Sequence, residues 1–313
     1  MFSLDLKGDY KSISQIQTKE EESLLAKNNV VAVGISHKEE HGEDTGEPCL
    51  TCFVQAKLEP GLLSKDDMIP KRIGKCKTDV VEVGQIFAQS DVTLRKRIRP
   101  AMGGYSVGHT KITAGTLGTC VIDSTPVTGE YRRVYILSNN HVLANSNAAV
   151  VGDPILQPGP FDGGTLPNDL IARLSRWVPI NFLPSRRVNY VDAAIAEGDL
   201  DDLNREIYWK GYVKDMVPPA VGMKVTKTGR TTGHTTGIIR AINATVDVNY
   251  GAAGVARFSR QIITTDMSAG GDSGSLVMDM NNTAVGLLFA GSSTVTICND
   301  IRYVMALLRI KFL

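Results

Sequence analysis

The chain has 313 residues, enough for about two domains of ordinary size. Its 34 lysines and arginines nearly balance 33 aspartates and glutamates, so the formal net charge of +1 does not favour binding to nucleic acid or to an anionic membrane. Hydrophobic residues make up 42% and charged residues 21%, as in globular proteins, and no apolar run approaches the roughly 18 residues of a membrane span. We therefore expect a folded protein whose partners include neither nucleic acid nor a membrane.

Cysteine content and the start of the chain bear on location. Five cysteines, an odd number, fit free thiols better than a disulfide framework. The first residues lack the basic start, apolar stretch and small-residue cleavage site of a secretory signal. Cys49 and Cys52 have the spacing of half a zinc site, but a closed site needs four ligands. We expect a cytoplasmic protein without a bound metal or cofactor.

Residues 1–98 are predicted to form a small α+β domain with a regulatory or targeting role. A short helix is predicted over residues 19–25, and a second one over 61–67. The β-type runs of this part lie at 29–36, 50–56 and 79–83. A basic stretch over 95–99, interpreted as an exposed linker, marks the domain boundary.

Residues 99–313 contain short strands separated by turn residues. The predicted strands lie at 116–122, 134–138, 170–178, 191–197, 224–228, 236–242, 257–265, 275–280 and 284–290. This spacing favours an all-β barrel or sandwich over a sheet whose strands alternate with helices. Near the end, Ile301, Val304, Met305 and Leu308 recur at helical spacing, which predicts a C-terminal helix packed on the barrel.

A tight turn at residues 270–275 presents the hydroxyl of Ser273 between Gly271 and Gly274. A serine becomes nucleophilic only with a base in hydrogen-bonding reach, a carboxylate that orients the base and donors for the developing oxyanion. The glycines let backbone N–H groups turn inward, so those of Gly271 and Ser273 are candidate oxyanion donors. The same residues also fit an ordinary β-turn, and the turn alone does not decide between the two.

His141 is the best candidate for the base among the five histidines. It follows the apolar run 134–137 and a polar triplet, so a strand delivers it to a sheet edge, although a structural histidine is the alternative. Asp192 is the best candidate for the orienting acid, because it lies in an otherwise apolar run where an unpartnered carboxylate is costly. Asp169 and Asp199 are weaker alternatives.

These blocks, in the order His, Asp, Ser, resemble the three catalytic blocks of chymotrypsin-like serine proteases. The matching stretches are residues 136–142, 191–195 and 271–275. The Gly-Arg-Thr-Thr-Gly stretch at 229–233 is similar to the segment that opens the second barrel in bacterial α-lytic protease and streptogrisin relatives. The resemblance covers residues 103–313, and the whole layout is similar to that of bacterial trypsin-like peptidases.

The resemblance implies a mainly β fold of two six-stranded Greek-key barrels with the C-terminal helix, and an active site between the barrels. Ser273 would attack the scissile carbonyl, His141 would carry the proton, and Asp192 would orient the imidazole. The N–H groups of Gly271 and Ser273 would bind the oxyanion. The implied function is that of a serine endopeptidase acting on protein or peptide substrates.

Two further predictions follow from the resemblance. Asp272, which precedes the nucleophile, is expected to pair with Arg230, as in the α-lytic relatives. The residues expected to form the specificity pocket are Met267, Phe289, Ala290 and Gly291. Many family members have Ser-Trp-Gly at the last three positions, and the side chains present here predict an apolar or small P1 residue.

Two other functions stay open from the sequence. The chain could be a catalytically silent or partner-activated interaction protein with a protease fold, in which residues 1–98 contact the partner. It could also be a phage or virion component that cleaves itself once near the basic stretch. The complete set of His141, Asp192 and Ser273 favours the enzyme.

Overall fold

The computed structural model describes residues 6–40, 43–58, 61, 63–84, 86, 93–125, 133–184 and 188–313. Contacts along the chain divide it into two units, Met1–Ser90 and Asp91–Leu313. Within this described part, no helix is long and apolar enough to cross a membrane.

The first unit combines one helix with a four-stranded sheet. Its elements are α1 (Gly8–Leu25), β1 (Val30–Glu40), β2 (Glu43–Val54), β3 (Arg72–Ile73) and β4 (Cys76–Glu82). The strand order is β1-β2-β4-β3, with β2 and β4 parallel and the other pairs antiparallel. Ile13 and Leu24 of α1 share an apolar cluster with Leu50, Cys52 and Cys76 of the sheet. This part therefore has the α+β character predicted from the sequence.

Two local predictions for the first unit are wrong. The helix α1 begins at Gly8 instead of near residue 19, because Ile13 also packs against the sheet and extends the buried stripe toward the N-terminus. The helix predicted over 61–67 is not formed by the described residues 63–67, which are turns and bends.

The second unit is mainly β. Its first half contains β5 (Ala101–Gly103), β6 (Ser106–His109), β7 (Gly115–Thr116), β8 (Thr119–Asp123), β9 (Val134–Ser138), α2 (Asn140–Leu143), β10 (Pro154–Leu156), β11 (Leu170–Trp177), β12 (Ala194–Gly198) and β13 (Leu203–Ile207). Its second half contains β14 (Lys224–Gly229), β15 (Gly233–Asn249), β16 (Val255–Thr265), β17 (Leu276–Asp279), β18 (Ala284–Gly291), β19 (Val295–Asp300), α3 (Ile301–Leu308) and β20 (Ile310–Phe312). Short 3₁₀ helices lie at Asn145–Asn147, Pro160–Asp162, Leu200–Asp202 and Gly251–Ala253.

The first half forms an eight-stranded sheet in the order β20-β8-β9-β12-β11-β10-β6-β7, and β5 pairs in parallel with β13 beside it. The sheet has more strands than the six expected, because the C-terminal strand β20 adds to β8 at one end and the two-residue β7 adds to β6 at the other. Buried Val107, Leu117, Ile136, Leu143 and Ile155 contribute to its core.

The second half forms a closed barrel of the six strands β14 to β19, in the order β14-β15-β16-β19-β18-β17. Val225, Ile239, Ile262, Val277 and Val285 are buried in its core. The mainly β fold expected from the resemblance is confirmed, with a closed six-stranded barrel in the second half and an eight-stranded sheet in the first.

The C-terminal helix is also confirmed. Ile301, Val304, Met305 and Leu308 are its buried residues, and Asp300 caps its first turn by accepting a hydrogen bond from the N–H of Arg302. These apolar side chains belong to a cluster that contains residues of both halves of the unit. The helix therefore packs where the two halves meet.

The basic stretch is part of the second unit. Arg97 forms an ion pair with Asp169, with 3.2 Å between Nε and Oδ1. Arg99 donates a hydrogen bond of 2.6 Å from Nη1 to Oε1 of Gln157, whose side chain is buried. The stretch is exposed at Arg97, whose side chain is 54% accessible, but both arginines attach it to the folded unit.

All five cysteines are free thiols, and all are buried. Burial raises the pKa of the Cys52 thiol to about 11 and the pKa values of the Cys120 and Cys298 thiols to about 12. Since the thiolate is the reactive form of cysteine, these three thiols are not nucleophiles near neutral pH.

Candidate active site

Two neighbouring strands bring His141 and Asp192 to the same end of the first sheet. Strands β9 and β12 are antiparallel, with Ser138 opposite Ala194. His141 follows β9 on the short helix α2, and Asp192 precedes β12. Because both residues lie beyond the same paired end, the strand register itself places the imidazole beside the carboxylate.

The contact between His141 and Asp192 is short. Nδ1 of His141 lies 2.6 Å from Oδ2 of Asp192, and the backbone N–H of His141 donates to Oδ1 at 3.2 Å. The Asp192 side chain is fully buried, whereas 24% of the His141 side chain is exposed. A charged carboxylate so far from water favours a proton on Nδ1, which leaves Nε2 as the nitrogen that can accept one.

Two asparagines hold the backbone of Asp192. Asn139 donates from Nδ2 to the carbonyl of Asp192 at 2.7 Å, and Asn299 donates to the same carbonyl at 3.1 Å. The N–H of Asp192 donates back to Oδ1 of Asn299 at 3.0 Å. The backbone of Asp192 is thus fixed from both halves of the second unit.

Tyr250 is the second side chain, after His141, that contacts the Asp192 carboxylate. Its hydroxyl donates to Oδ2 of Asp192 at 2.8 Å, and its ring meets the His141 imidazole edge-on at 5.8 Å between centroids. Tyr250 was not among the site residues predicted from the sequence.

The Ser273 turn depends on its glycines. Gly274 has a φ of +96°, and a Cβ there would lie 2.0 Å from Oγ of Ser138 and 2.2 Å from the carbonyl oxygen of Thr116. Only glycine therefore lets the turn approach the first sheet so closely. The N–H of Thr116 donates to the carbonyl of Ser273 at 2.7 Å, which fastens the turn to that sheet.

The Ser273 hydroxyl does not face the imidazole directly. It donates a long hydrogen bond of 3.5 Å to the carbonyl oxygen of Phe289, and within the described residues it makes no hydrogen bond with His141. Hydrogen bonds between catalytic groups are often absent or long until a substrate is bound.

The backbone around Ser273 leaves two donors unused. Among the residues that the structure describes, neither the N–H of Gly271 nor that of Ser273 has an acceptor. Thr231 donates from Oγ1 to the carbonyl of Gly270 at 2.8 Å. Because a trans peptide points its C=O and N–H in opposite directions, this bond turns the Gly271 N–H away from Thr231.

Asp272 is fully buried and lies in a dense set of donors. Thr232 donates from Oγ1 at 2.6 Å, and the N–H groups of Thr231 and Ala269 donate at 2.8 and 2.9 Å. The cation beside it is Lys227, also fully buried, whose Nζ lies 3.4 Å from Oδ2 of Asp272. Burial lowers the pKa of Lys227, and the Asp272 carboxylate opposes that shift.

The predicted Arg230 to Asp272 ion pair is therefore wrong. The Arg230 guanidinium pairs instead with Asp162, donating from Nε to Oδ2 at 2.7 Å and from Nη2 to Oδ1. It also donates from Nη1 to Oγ1 of Thr231 at 3.0 Å. Lys227 already provides the cation at Asp272, while Arg230 joins the second barrel to the first half and supports the threonine that anchors Gly270.

A cleft of about 740 Å³ lies next to His141. Three of the four predicted pocket residues, Phe289, Ala290 and Gly291, line it. The cleft is also lined by residues of β15, by Tyr250 directly after it and by the segment after α2, and these include Asn145, Ser146, Val246, Val248 and Asn249.

Met267 is not among the residues that line this cleft. Its side chain is buried in the apolar core of the closed barrel, where a Cβ on Gly237 would lie 2.7 Å from its sulfur. Its neighbour Ser268 shares a hydrogen bond of 2.7 Å with the hydroxyl of Thr296. A Cβ on Gly291, the last residue of β18, would lie 3.4 Å from that Ser268 hydroxyl. The hydroxyl pair of Ser268 and Thr296 is therefore next to the end of the strand that lines the cleft.

Of the functional side chains that the sequence analysis missed, Lys227 had a visible signal. A lysine inside the strand predicted at 224–228 needs an acidic partner once the strand is buried. Asn299 and Tyr250 had no such signal, because each contacts Asp192 only through the fold, 107 and 58 residues away in the chain.

No family model and no curated protein matches the sequence. Similar solved structures include Thermobifida fusca Protease A, with 17% identity, a TM-score of 0.48 and coverage of 68% of this chain and 97% of that one. Cellulomonas bogoriensis chymotrypsin has 18% identity and a TM-score of 0.46, and covers 68% of this chain and 97% of its own. Nocardiopsis protease has 19% identity and a TM-score of 0.48, and covers 67% and 97%. Chymotrypsin-like serine proteases are thus among the solved structures that this chain is similar to.

Proposed function

We propose that the second unit is a serine endopeptidase that hydrolyses peptide bonds of protein or peptide substrates. The observation that carries this proposal is the 2.6 Å contact between His141 and the buried Asp192. His141 and Phe289 line the cleft, and the carbonyl of Phe289 accepts the hydrogen bond of the Ser273 hydroxyl. A paired imidazole, a serine hydroxyl and unused backbone donors are the groups that acyl transfer needs.

In the proposed reaction, the Ser273 side chain rotates away from the carbonyl of Phe289 toward Nε2 of His141. Its oxygen attacks the scissile carbonyl while Nε2 takes the hydroxyl proton, and the same proton then passes to the leaving amine. Asp192 stabilises the imidazolium and holds its tautomer. Water repeats the sequence on the acyl-enzyme, which releases the acid and restores the serine.

The oxyanion of each tetrahedral intermediate would be bound by the N–H groups of Gly271 and Ser273. Both donors are unpaired among the described residues, and the Thr231 bond to Gly270 holds the first of them in its orientation. Donors that are fixed before the reaction need no reorganisation when the charge develops.

The cleft supports the preference for an apolar or small P1 residue. Phe289 and Ala290 provide an apolar surface, and the hydroxyl pair of Ser268 and Thr296 is uncharged. Asp247, an acidic residue that lines the cleft, is already paired with Arg257 through two bonds of 2.7 Å. A peptide library should therefore be cut after apolar or small residues, and preferred cleavage after Lys or Arg would contradict this assignment.

The proposal is tested by hydrolysis of an unfolded protein substrate and of the same library. Ser273→Ala and His141→Ala should each lower turnover by on the order of a million-fold, because the triad acts as a unit. Ser259→Ala is a matched control, since it removes a hydroxyl that bonds to Thr245 within the β15–β16 hairpin. Hydrolysis that survives Ser273→Ala, or a folded wild-type protein that cuts no substrate, would contradict the proposal.

One observation favours a second candidate, a silent or partner-activated protease-fold protein. The Ser273 hydroxyl is bonded to Phe289 instead of His141. In this alternative, residues 1–98 bind the regulatory partner, and hydrolysis appears only when that partner is present. The five free buried thiols fit a reducing compartment such as the cytoplasm for either function.

A further inference from the structure

The hairpin formed by β15 and β16 ends beside Asp192. Its arms contain 17 and 11 residues, and Tyr250 lies at its tip, directly after β15. The N–H of Tyr250 donates to the carbonyl of Gly254 at 2.9 Å, which closes the tip. The Tyr250 side chain turns back from this position to the carboxylate, so the hairpin of the second barrel contacts the acid of the first half.

The Tyr250 ring is enclosed by other rings. Phe182 meets it edge-on at 5.7 Å between centroids, Phe258 lies at 6.1 Å, and the His141 imidazole lies on a further side at 5.8 Å. Burial, together with the Asp192 charge, raises the pKa of the Tyr250 hydroxyl well above its usual value. The hydroxyl therefore keeps its proton, and among the residues that the structure describes it donates to the Asp192 carboxylate alone.

Oδ2 of Asp192 accepts two hydrogen bonds. One comes from Nδ1 of His141 at 2.6 Å and the other from the Tyr250 hydroxyl at 2.8 Å. The second donor restrains rotation of the carboxylate and offsets part of its negative charge. Both effects reach the imidazole, because the same oxygen orients it.

We propose that Tyr250 is a positioning residue of the triad, which fixes Asp192 and, through it, the orientation and basicity of His141. The proposal rests on the proposed serine endopeptidase function. It also gives the hairpin a second role, because Val246, Val248 and Asn249 of the same element line the cleft. One element thus forms a wall of the cleft and holds the acid of the triad.

The test compares the full-length wild-type protein with Tyr250→Phe, which removes the hydroxyl and keeps the ring. Tyr303→Phe is the matched control, since its hydroxyl bonds to Arg260 and makes no contact with the triad. Proton NMR follows the hydrogen on Nδ1 of His141 and the pH at which the imidazole titrates, and a fluorophosphonate probe reports the rate of Ser273 labelling.

In Tyr250→Phe, the Nδ1 proton resonance should move, and the imidazole titration should shift to higher pH, because the carboxylate charge is less offset. The labelling rate should fall by roughly tenfold, as expected for losing one hydrogen bond to a charged group. Tyr303→Phe should match the wild type in all three readouts. An unchanged resonance, or a titration that stays or moves to lower pH, would overturn the assignment of Tyr250.

The NMR readouts and the labelling rate together separate this proposal from the proposed function. If the NMR changes occur but the wild-type protein is never labelled, the positioning role of Tyr250 stands and the protease function fails. If the wild type is labelled and Tyr250→Phe has the wild-type resonance, titration and rate, the function stands and the role of Tyr250 fails.

Discussion

Lys227 of β14 forms a buried ion pair with Asp272, the residue that precedes Ser273 in the chain. Both side chains are fully buried, and Lys227 also donates to the carbonyl of Gly233 at 3.0 Å. Lys227→Met keeps most of the side-chain volume but leaves the carboxylate without its cation. We expect this change to lower the free energy of unfolding by about 3 kcal/mol, measured by urea denaturation. Lys311→Met removes an exposed lysine as the control, and an equal effect of the two substitutions would contradict the assignment.

His234 makes the free energy of unfolding of the second unit depend on pH. Burial, helped by Lys210 and Lys227, lowers its pKa from 6.5 to about 4. Below pH 6.5 the imidazole is protonated in the unfolded chain, whereas in the folded chain it stays neutral down to about pH 4. The free energy of unfolding therefore decreases as the pH falls from 6.5 to 4.

From these two pKa values, the loss between pH 7.5 and pH 5 is about 2 kcal/mol. His234→Gln should remove most of this difference in the free energy of unfolding, measured by urea denaturation at both pH values. A variant at His234 that retains the full wild-type difference would contradict the interpretation.

Individual contacts were predictable from the sequence only where a charged residue interrupted an apolar run. A carboxylate in an apolar run led to Asp192, and strand register then placed it against His141. Arg230 was assigned to the wrong acid, because its partner Asp162 lies 68 residues away on a 3₁₀ helix that nothing in the local pattern links to it. Such pairings depend on how the two halves pack.

At the scale of elements, α3 provides a matched pair of leucines. Leu308 is 1% exposed in the cluster where the two halves meet, and its neighbour Leu307 is 48% exposed. Leu308→Ala should lower the free energy of unfolding by about 3 kcal/mol, because it removes packed methyl groups and leaves a cavity. Leu307→Ala should change it by less than about 0.5 kcal/mol. Equal effects in thermal or urea unfolding would show that the helix does not pack as described.

The β15–β16 hairpin shows where element prediction from the pattern fails. The predicted run 257–265 covers most of β16, but the run 236–242 covers only the first part of β15, which continues to Asn249. Register shifts interrupt the pairing at several places, and Asn243 has a φ of +55°. Bulges of this kind break the two-residue alternation that identifies a strand in the sequence. The part of the hairpin that lines the cleft was therefore not predicted.

For the whole molecule, the division into two units predicts that the second unit alone has the proposed hydrolase activity. All proposed catalytic residues and their hydrogen-bond partners lie in Asp91–Leu313. The boundary predicted at residue 98 would cut through the anchored Arg97 and Arg99 stretch, so a fragment of residues 91–313 is the better choice. We expect this fragment to fold and to react with a fluorophosphonate at the rate of the full chain. A folded fragment that does not react would assign the first unit a required role in activation.

The most direct test of the central claim is covalent labelling of the full-length protein by a fluorophosphonate probe, read by intact mass. The account predicts one adduct on the wild-type chain and none on Ser273→Ala or His141→Ala, because the probe requires a serine activated by its histidine. A folded wild-type protein that remains unlabelled, or an adduct that persists in Ser273→Ala, would contradict it.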